Sequence, residues 1–289
     1  MPRRPIIPCS RREDWAQIVR DYAEALKTAA HTIGQHGLSN EAFDEAGLFK
    51  SAIERLRGQQ AATTKVKYAF MEAVLSFLQD GGLIERYEFV GARERHDFEI
   101  YFDDGRLCCV EAKGCLDGNN TNIFVRPSNA DEFVIWSLCQ NPGSDPDHNA
   151  WSGIHTRLSA EIVSRRERVD GLIIWDMLCG TLARPCPKLE THPERSVDLS
   201  GKCIPPPCIY LFPRTIPDAR NNPNPQPWGL TDIRFLSVIA SAFHVEENET
   251  VAVRIEVRMQ QADVQRRTTY TIGGNELRQS NWTVVRRAR

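Results

Sequence analysis

The spacing of apolar residues divides the first eighty positions of the chain into three amphipathic helices. Apolar side chains recur every three to four positions across 12–32, 40–57 and 63–79, which is the period of an α-helix with one buried face. The third helix runs into Asp80-Gly81-Gly82, and glycine after an apolar stripe is a frequent helix stop. The pattern predicts a helical N-terminal region, 1–82, that packs on the core.

After residue 82 the pattern changes to strands. A strand is predicted at 83–90, and two segments, 97–102 and 106–113, flank Asp103-Asp104-Gly105. A three-residue hairpin loop commonly ends in a residue with positive φ, which glycine adopts without steric cost. This loop would place Asp97 opposite Glu111 on one face of a hairpin. A two-residue loop would shift the register by one position and separate the two side chains.

The middle of the chain predicts a crossover connection. Residues 130–139 are predicted to form a short helix. Trp151, Ile154, Leu158 and Ile162 then recur at helical spacing, and a continuous apolar run follows at 169–175. A helix that leads into such a run indicates a crossover to a buried parallel strand. The fold class expected is therefore α/β, with a three-layer core around a central mixed β-sheet at 83–215.

The last third of the chain predicts an insertion followed by a β-rich region. Proline and cysteine interrupt the sequence at 179–208, one strand is predicted at 209–212, and the C-terminal region 216–289 is predicted to contain strands at 251–259, 264–272 and 281–286. Arg254, Arg258 and Arg266 lie on this ribbon. An arginine-lined ribbon can enter the DNA major groove, although a solvated face explains the pattern as well.

Composition narrows the class of protein. The chain has 289 residues, of which 41% are hydrophobic and 26% charged, with a net charge of −2. No run of eighteen apolar residues occurs and the N-terminus lacks the apolar core of a signal peptide, so a cytoplasmic protein without a membrane partner is expected. The net charge excludes a general polycation, and any nucleic-acid contact must come from a local cleft.

The nine cysteines suggest a reducing compartment. Four of them, Cys179, Cys186, Cys203 and Cys208, could close a tetrahedral zinc site. Their spacings differ from the C-x2-C of zinc ribbons, so cysteines in the core or in loops are the favoured interpretation.

The hairpin carries the candidate chemistry. Asp97 and Glu111 would lie together, with Lys113 diagonally adjacent. Two close carboxylates repel each other unless a hard cation neutralises them, and an oxygen-rich site with room for phosphate suits Mg²⁺. Lys113 could then orient a water molecule or balance the charge that develops on phosphorus. An exposed hairpin with a solvated Glu/Lys pair is the alternative.

These residues resemble the PD-(D/E)XK nuclease superfamily, and within it the type II restriction endonucleases, over about Thr63–Cys179. The resemblance implies a restriction-endonuclease-like core in which Asp97 and Glu111 bind Mg²⁺, with Mn²⁺ as a substitute. It also implies that the carbonyl group of Ala112 is a metal ligand and that Lys113 is catalytic.

The same resemblance nominates Glu72, on the helix that precedes the hairpin, as a residue that assists the metal. Glu99 shares the face of Asp97 and competes for that role. The chain departs from the family pattern at His96, where the family name calls for proline. Further candidate DNA contacts are Asn119 and Asn120, in a polar turn close behind Lys113, and Arg126 just beyond.

The resemblance implies a Mg²⁺-dependent endodeoxyribonuclease that cuts double-stranded DNA at specific sequences. A homodimer is expected because cutting both strands of a palindrome needs two related sites. Two alternatives stay open at this point. One is a non-specific repair or antiphage-defence nuclease of the same fold, and the other is a non-catalytic DNA-binding protein with a zinc-stapled insert.

Overall fold

A computed structural model describes residues 13–28, 34–57, 64–91, 96–114, 125–139, 146–181, 186–199 and 201–285. The N-terminal helices are confirmed as α1 (Glu13–Thr28), α2 (Asn40–Glu45) and α3 (Leu48–Arg57). The predicted second helix is broken at Gly47, which has φ of +63°. These three helices enclose a small core of their own, which includes Tyr22, Phe43 and Leu48.

Helix α4 (Thr64–Asp80) belongs instead to the main core. Its buried residues are Phe70, Met71, Val74, Leu75 and Leu78. The helical spacing of the apolar residues predicts a buried stripe formed by Val66, Ala69, Phe70, Ala73, Val74 and Phe77, but Ala69 is exposed. The true stripe is therefore rotated, because Met71, Leu75 and Leu78 outcompete the smaller alanines for burial.

The predicted hairpin is confirmed with its three-residue loop. Strands β1 (Arg86–Phe89), β2 (Phe98–Tyr101) and β3 (Leu107–Lys113) pair antiparallel in order, with Phe98 opposite Val110. The amide of Phe102 donates to the carbonyl of Arg106 at 3.1 Å, and Gly105 has φ of +81°. The regular register ends at this pair, because the amide of Asp97 also donates to the carbonyl of Val110, at 2.9 Å. Two residues of one strand then face one residue of the other, which is a β-bulge, and the predicted direct pairing of Asp97 with Glu111 is not formed.

The helix predicted at 130–139 is wrong, because this segment forms strand β4 (Glu132–Cys139), parallel to β3. All eight residues of β4 are buried. A strand covered on both faces has no polar alternation, so its sequence resembles that of a buried helix. Aromatic and β-branched residues at 133–136 were the signal that favoured a strand.

The predicted crossover is confirmed. It consists of α5 (Pro146–Ser152), a π-helical segment (Gly153–Leu158) and α6 (Ser159–Arg165). Strand β5 (Gly171–Asp176) follows and pairs parallel to β4. The strand predicted at 209–212 is β8, which pairs antiparallel to β5.

The remaining elements extend the same sheet. They are α7 (Pro187–Thr191), β6 (Val197–Leu199), β7 (Lys202–Ile204), β8 (Cys208–Leu211), α8 (Arg234–Ala242), β9 (Val251–Gln260), β10 (Asp263–Ile272), β11 (Asn275–Gln279) and β12 (Thr283–Val284). A ten-stranded mixed sheet has the order β1-β2-β3-β4-β5-β8-β9-β10-β11, with β12 paired to β10, while β6 and β7 form a separate hairpin. Strands from both sides of position 215 therefore share one sheet.

Helices cover both faces of this sheet, which gives a mixed α/β architecture. Helices α4 and α8 pack on the face that carries Phe98 and Val110, and α5 and α6 pack on the opposite face. Glu132, at the start of β4, accepts hydrogen bonds from the amides of Arg234 (2.5 Å) and Phe235 (2.9 Å) and so fixes the N-terminus of α8. Within the described ranges, no helix has both the length and the apolar character needed to cross a membrane.

Candidate active site

A polar cluster forms where β2 begins and β3 ends. Asp97 lies just before the first paired residue of β2. Its Oδ1 accepts a hydrogen bond from Tyr68 Oη at 2.5 Å, and its Oδ2 accepts one from the amide of Ala112 at 2.7 Å. The carboxylate thus takes the place that the carbonyl of a longer β2 would occupy beside Ala112. Both oxygens of Asp97 are held in a fixed orientation.

Glu111 and Lys113 project from the same face of β3, two positions apart. Lys113 Nζ lies 2.5 Å from Glu111 Oε1, and both side chains are partly buried. Burial raises the pKa of Glu111, the Lys113 ammonium opposes that rise, and the Asp97 carboxylate adds to it. Asp97 and Glu111 therefore act on each other electrostatically at this end of the sheet.

Lys67, on α4, is a member of the cluster that the sequence did not reveal. Its Nζ donates to the carbonyl oxygen of Ala112 at 2.8 Å. Burial lowers the pKa of Lys67, while the carboxylates of Asp97 and Glu111 oppose that change. Two carboxylates and two ammonium groups therefore balance one another at this end of the sheet. The sequence signal that could have indicated this contact is the spacing of Lys67, which lies four positions before the buried Met71 on the same helix face.

Tyr68 connects the apolar core to the polar cluster. Its ring packs against those of Phe89 and Phe98, with centroid distances of 4.9 and 5.9 Å. Burial raises the pKa of Tyr68, and its hydrogen bond to Asp97 raises it further. Tyr68 is therefore a protonated donor at neutral pH that holds Asp97 in place.

The two other acids nominated from the sequence lie elsewhere. Glu72 is exposed, and among the contacts between described residues it has no hydrogen bond or ion pair to the cluster. The rotation of the α4 stripe turns Lys67 and Tyr68 inward, whereas Glu72 lies outside both the predicted and the observed stripe. Glu99 lies further along β2 than Asp97. Its Oε2 accepts a hydrogen bond from Tyr101 Oη at 2.5 Å, and its Oε1 is 3.1 Å from His96 Nε2.

Arg126, predicted to contact DNA, is instead engaged within the core. Its guanidinium forms an ion pair with buried Asp170 and donates to the carbonyls of Ala130 (3.0 Å) and Asp131 (2.6 Å). Asp170 also accepts from the amide of Phe133 at 2.8 Å. Arg126 therefore ties the segment before β4 to the segment before β5.

Replacing Arg126 with alanine is expected to lower the free energy of unfolding by about 3 kcal/mol, because a buried carboxylate would lose its closest charged partner. Arg258→Ala, at an exposed position of β9, is the matched control and should change stability little. Urea unfolding followed by circular dichroism measures both. Equal stability of the two variants would contradict the structural role of Arg126.

Arg266 is also a corrected prediction. Only 5% of this residue is exposed. Its guanidinium contacts Thr283 Oγ1 and donates to the carbonyl of Thr156, in the π-helical segment, at 2.6 Å. A π-helical turn leaves carbonyls out of the regular α-helical pattern, and Arg266 satisfies one of them. It is not available to DNA in this arrangement.

Arg254 and Arg258 lie on the β9–β10 ribbon, away from the cluster. The transverse row of the sheet that contains Glu111 passes through Ile135, Leu172 and Tyr210 to Val251. Because β8 is antiparallel to β5 and β9 runs parallel to β8, β9 leads away from the end that carries Lys113. Arg258 lies seven residues beyond that row, or about 23 Å at the usual rise of a strand.

The other sequence-derived candidates have mixed outcomes. Asn119 and Asn120 lie outside the described residues. The four cysteines proposed for zinc do not gather into a metal-sized group among the described residues. Cys208 is buried in β8, whereas Cys203 is exposed on β7. Cys186 is hydrogen-bonded to Cys179, which together with burial raises the pKa of the Cys186 thiol.

The donor atoms at the cluster fit a hard divalent cation. The carboxylates of Asp97 and Glu111 and the carbonyl of Ala112 are oxygen donors, which Mg²⁺ prefers. The Lys67 ammonium donates a hydrogen bond to the Ala112 carbonyl. A divalent ion that binds this carbonyl oxygen has to compete with Lys67. The residues thus suit Mg²⁺ on the condition that Lys67 moves aside.

Comparison with known proteins leaves the chain without an assigned family. No protein-family model matches it, and neither the curated proteins nor the solved structures contain a match. The functional conclusion therefore depends on the geometry of the cluster.

Proposed function

We propose that this protein is a Mg²⁺-dependent endodeoxyribonuclease that hydrolyses phosphodiester bonds in double-stranded DNA. The observation that carries the proposal is the cluster of Asp97, Glu111 and Lys113 at one end of the β2–β3 hairpin. The mixed sheet covered by helices on both faces is compatible with a restriction-endonuclease-like core. A site-specific enzyme of type II, acting as a homodimer, is the form that we propose.

The residues of the cluster would divide the work. Asp97 and Glu111, with the carbonyl of Ala112, would hold the ion, and Tyr68 keeps the Asp97 carboxylate in one orientation. A bound Mg²⁺ polarises phosphoryl oxygens and lowers the pKa of its water ligands. Lys113, held against Glu111, would position the attacking water or stabilise the negative charge that develops on the phosphate.

Lys67 makes this proposal testable through metal affinity alone. Its ammonium group donates a hydrogen bond to the Ala112 carbonyl and interacts favourably with the carboxylates of Asp97 and Glu111. It therefore repels a divalent ion that binds at the same oxygen atoms. Replacing Lys67 with methionine should strengthen Mn²⁺ binding about tenfold, as expected for a gain of about 1.4 kcal/mol. Isothermal titration calorimetry with Mn²⁺ measures this change without any DNA.

The matched control for this variant is Lys65→Met, because Lys65 lies on the same helix but is exposed. This control should bind Mn²⁺ like the unaltered protein. Weaker binding by the Lys67 variant would show that Lys67 supports the metal site instead of competing for it.

The direct test of the proposed activity is digestion of supercoiled plasmid DNA with Mg²⁺, with a chelator as control. Linear DNA or discrete fragments that require Mg²⁺ would support a site-specific enzyme. A smear would retain the nuclease and reject sequence specificity. Intact plasmid across a panel of DNA substrates and both Mg²⁺ and Mn²⁺ would reject the proposed function.

A further inference from the structure

We propose that His96, Glu99 and Cys109 form a zinc-binding site that is separate from the cluster around Asp97. One potential ligand atom from each side chain lies within 4.8 Å of the other two. Glu99 and Cys109 are directly paired across β2 and β3, and His96 immediately precedes Asp97 in the sequence. The three residues therefore come from two adjacent segments that the sheet already fixes.

Burial makes this group different from an ordinary surface ion pair. His96 is 4% exposed and Cys109 is fully buried. His96 Nε2 lies 3.1 Å from Glu99 Oε1, whereas His96 Nδ1 is buried with no hydrogen-bond partner among the described residues. A buried polar atom without a partner is costly and indicates an unaccounted water or ion. A metal shared with Glu99 would bind Nε2, the nitrogen that faces that carboxylate, and Nδ1 would still need a hydrogen-bond partner such as a water molecule.

The chemistry of the three donors selects the class of metal. A thiolate and an imidazole favour zinc over magnesium, which prefers oxygen alone. One carboxylate and one thiolate would neutralise Zn²⁺. Three protein ligands leave a fourth tetrahedral position for water or another donor. Tyr101 Oη donates to Glu99 Oε2 at 2.5 Å and would orient the carboxylate as outer hydrogen bonds do at metal sites.

Such a site would brace the hairpin beside the cluster. Zinc would join His96, which immediately precedes Asp97, to the middle of β3. The segment leading into β2 would then be held to β3 by coordination as well as by hydrogen bonds. Zinc binding itself does not depend on the proposed nuclease activity. Only the idea that zinc helps to position Asp97 for catalysis rests on the proposed function.

Cobalt substitution tests this site in the full-length protein. After metal is removed with a chelator, titration with Co²⁺ should produce a thiolate-to-cobalt charge-transfer band that saturates at one ion per chain and disappears when Zn²⁺ is added. Cys109→Ser should abolish the band. Cys108→Ser is the matched control, because Cys108 is equally buried on the opposite face of β3, and it should retain the band.

Two further variants keep the outcomes distinct. Glu99→Gln should weaken Co²⁺ binding at least tenfold, and it provides the test if Cys109→Ser fails to fold by circular dichroism. Asp97→Asn should leave the charge-transfer band in place, which separates this site from the proposed Mg²⁺ site. Absence of the band in folded, unaltered protein, or its survival in folded Cys109→Ser, would overturn the zinc site and leave a buried contact between His96 and Glu99.

Discussion

Replacing Asp97 with asparagine is expected to abolish DNA cleavage, with a loss of about 10³-fold, and to weaken Mn²⁺ binding in parallel. Both oxygens of Asp97 accept hydrogen bonds, from Tyr68 and from the amide of Ala112. An asparagine side chain offers one acceptor and places an NH₂ group against the second donor. It therefore loses the negative charge that a divalent ion needs and also the fixed orientation.

Plasmid cleavage and calorimetric titration with Mn²⁺ measure the two effects on the same preparation. Asp103→Asn is the control, because Asp103 lies at the exposed far end of the same hairpin and should preserve both properties. Thermal unfolding establishes that the Asp97 variant is folded. A folded Asp97→Asn protein that cuts DNA at the normal rate would exclude Asp97 from the site.

Replacing Lys113 with methionine should lower the cleavage rate by about 10²- to 10⁴-fold while DNA binding and Mn²⁺ binding persist. The ammonium group of Lys113 contacts Glu111 but is not itself an electron-pair donor to a metal. Its removal takes away the group that would handle the attacking water or the developing charge. Methionine preserves the length and the apolar part of the side chain.

The measurement combines a cleavage assay in Mg²⁺ with fluorescence anisotropy of labelled duplex DNA in Ca²⁺. Lys202→Met, at an exposed position on β7, should behave like the unaltered protein in both assays. If Lys113→Met abolishes DNA binding together with cleavage, the residue serves substrate binding and the catalytic role is refuted.

The hairpin shows what a sequence determines well. Asp103, Asp104 and Gly105 define the loop, and the loop defines the register from Tyr101–Leu107 to Phe98–Val110, which ends one residue before Asp97. Each step is local and follows from turn geometry. The crossover from α5 to β5 was equally accessible, because a helical period changes there to a continuous apolar run.

Features that depend on tertiary contacts were not accessible. Lys67 reaches the Ala112 carbonyl 45 positions away in sequence, and only the packing of α4 on the sheet decides which helix face makes that contact. Arg126 and Arg266 are of a residue type that often contacts DNA. In the structure Arg126 pairs with Asp170, and Arg266 donates to the Thr156 carbonyl. Strand β4 was missed because burial on both faces removes the alternation that identifies a strand.

The most direct test of the metal site is anomalous diffraction from crystals soaked in Mn²⁺. The account predicts a manganese peak bounded by the carboxylates of Asp97 and Glu111 and the carbonyl of Ala112, with Lys67 Nζ displaced from that carbonyl. Occupied manganese sites elsewhere, with Lys67 still bonded to Ala112 and no peak beside Asp97, would contradict it.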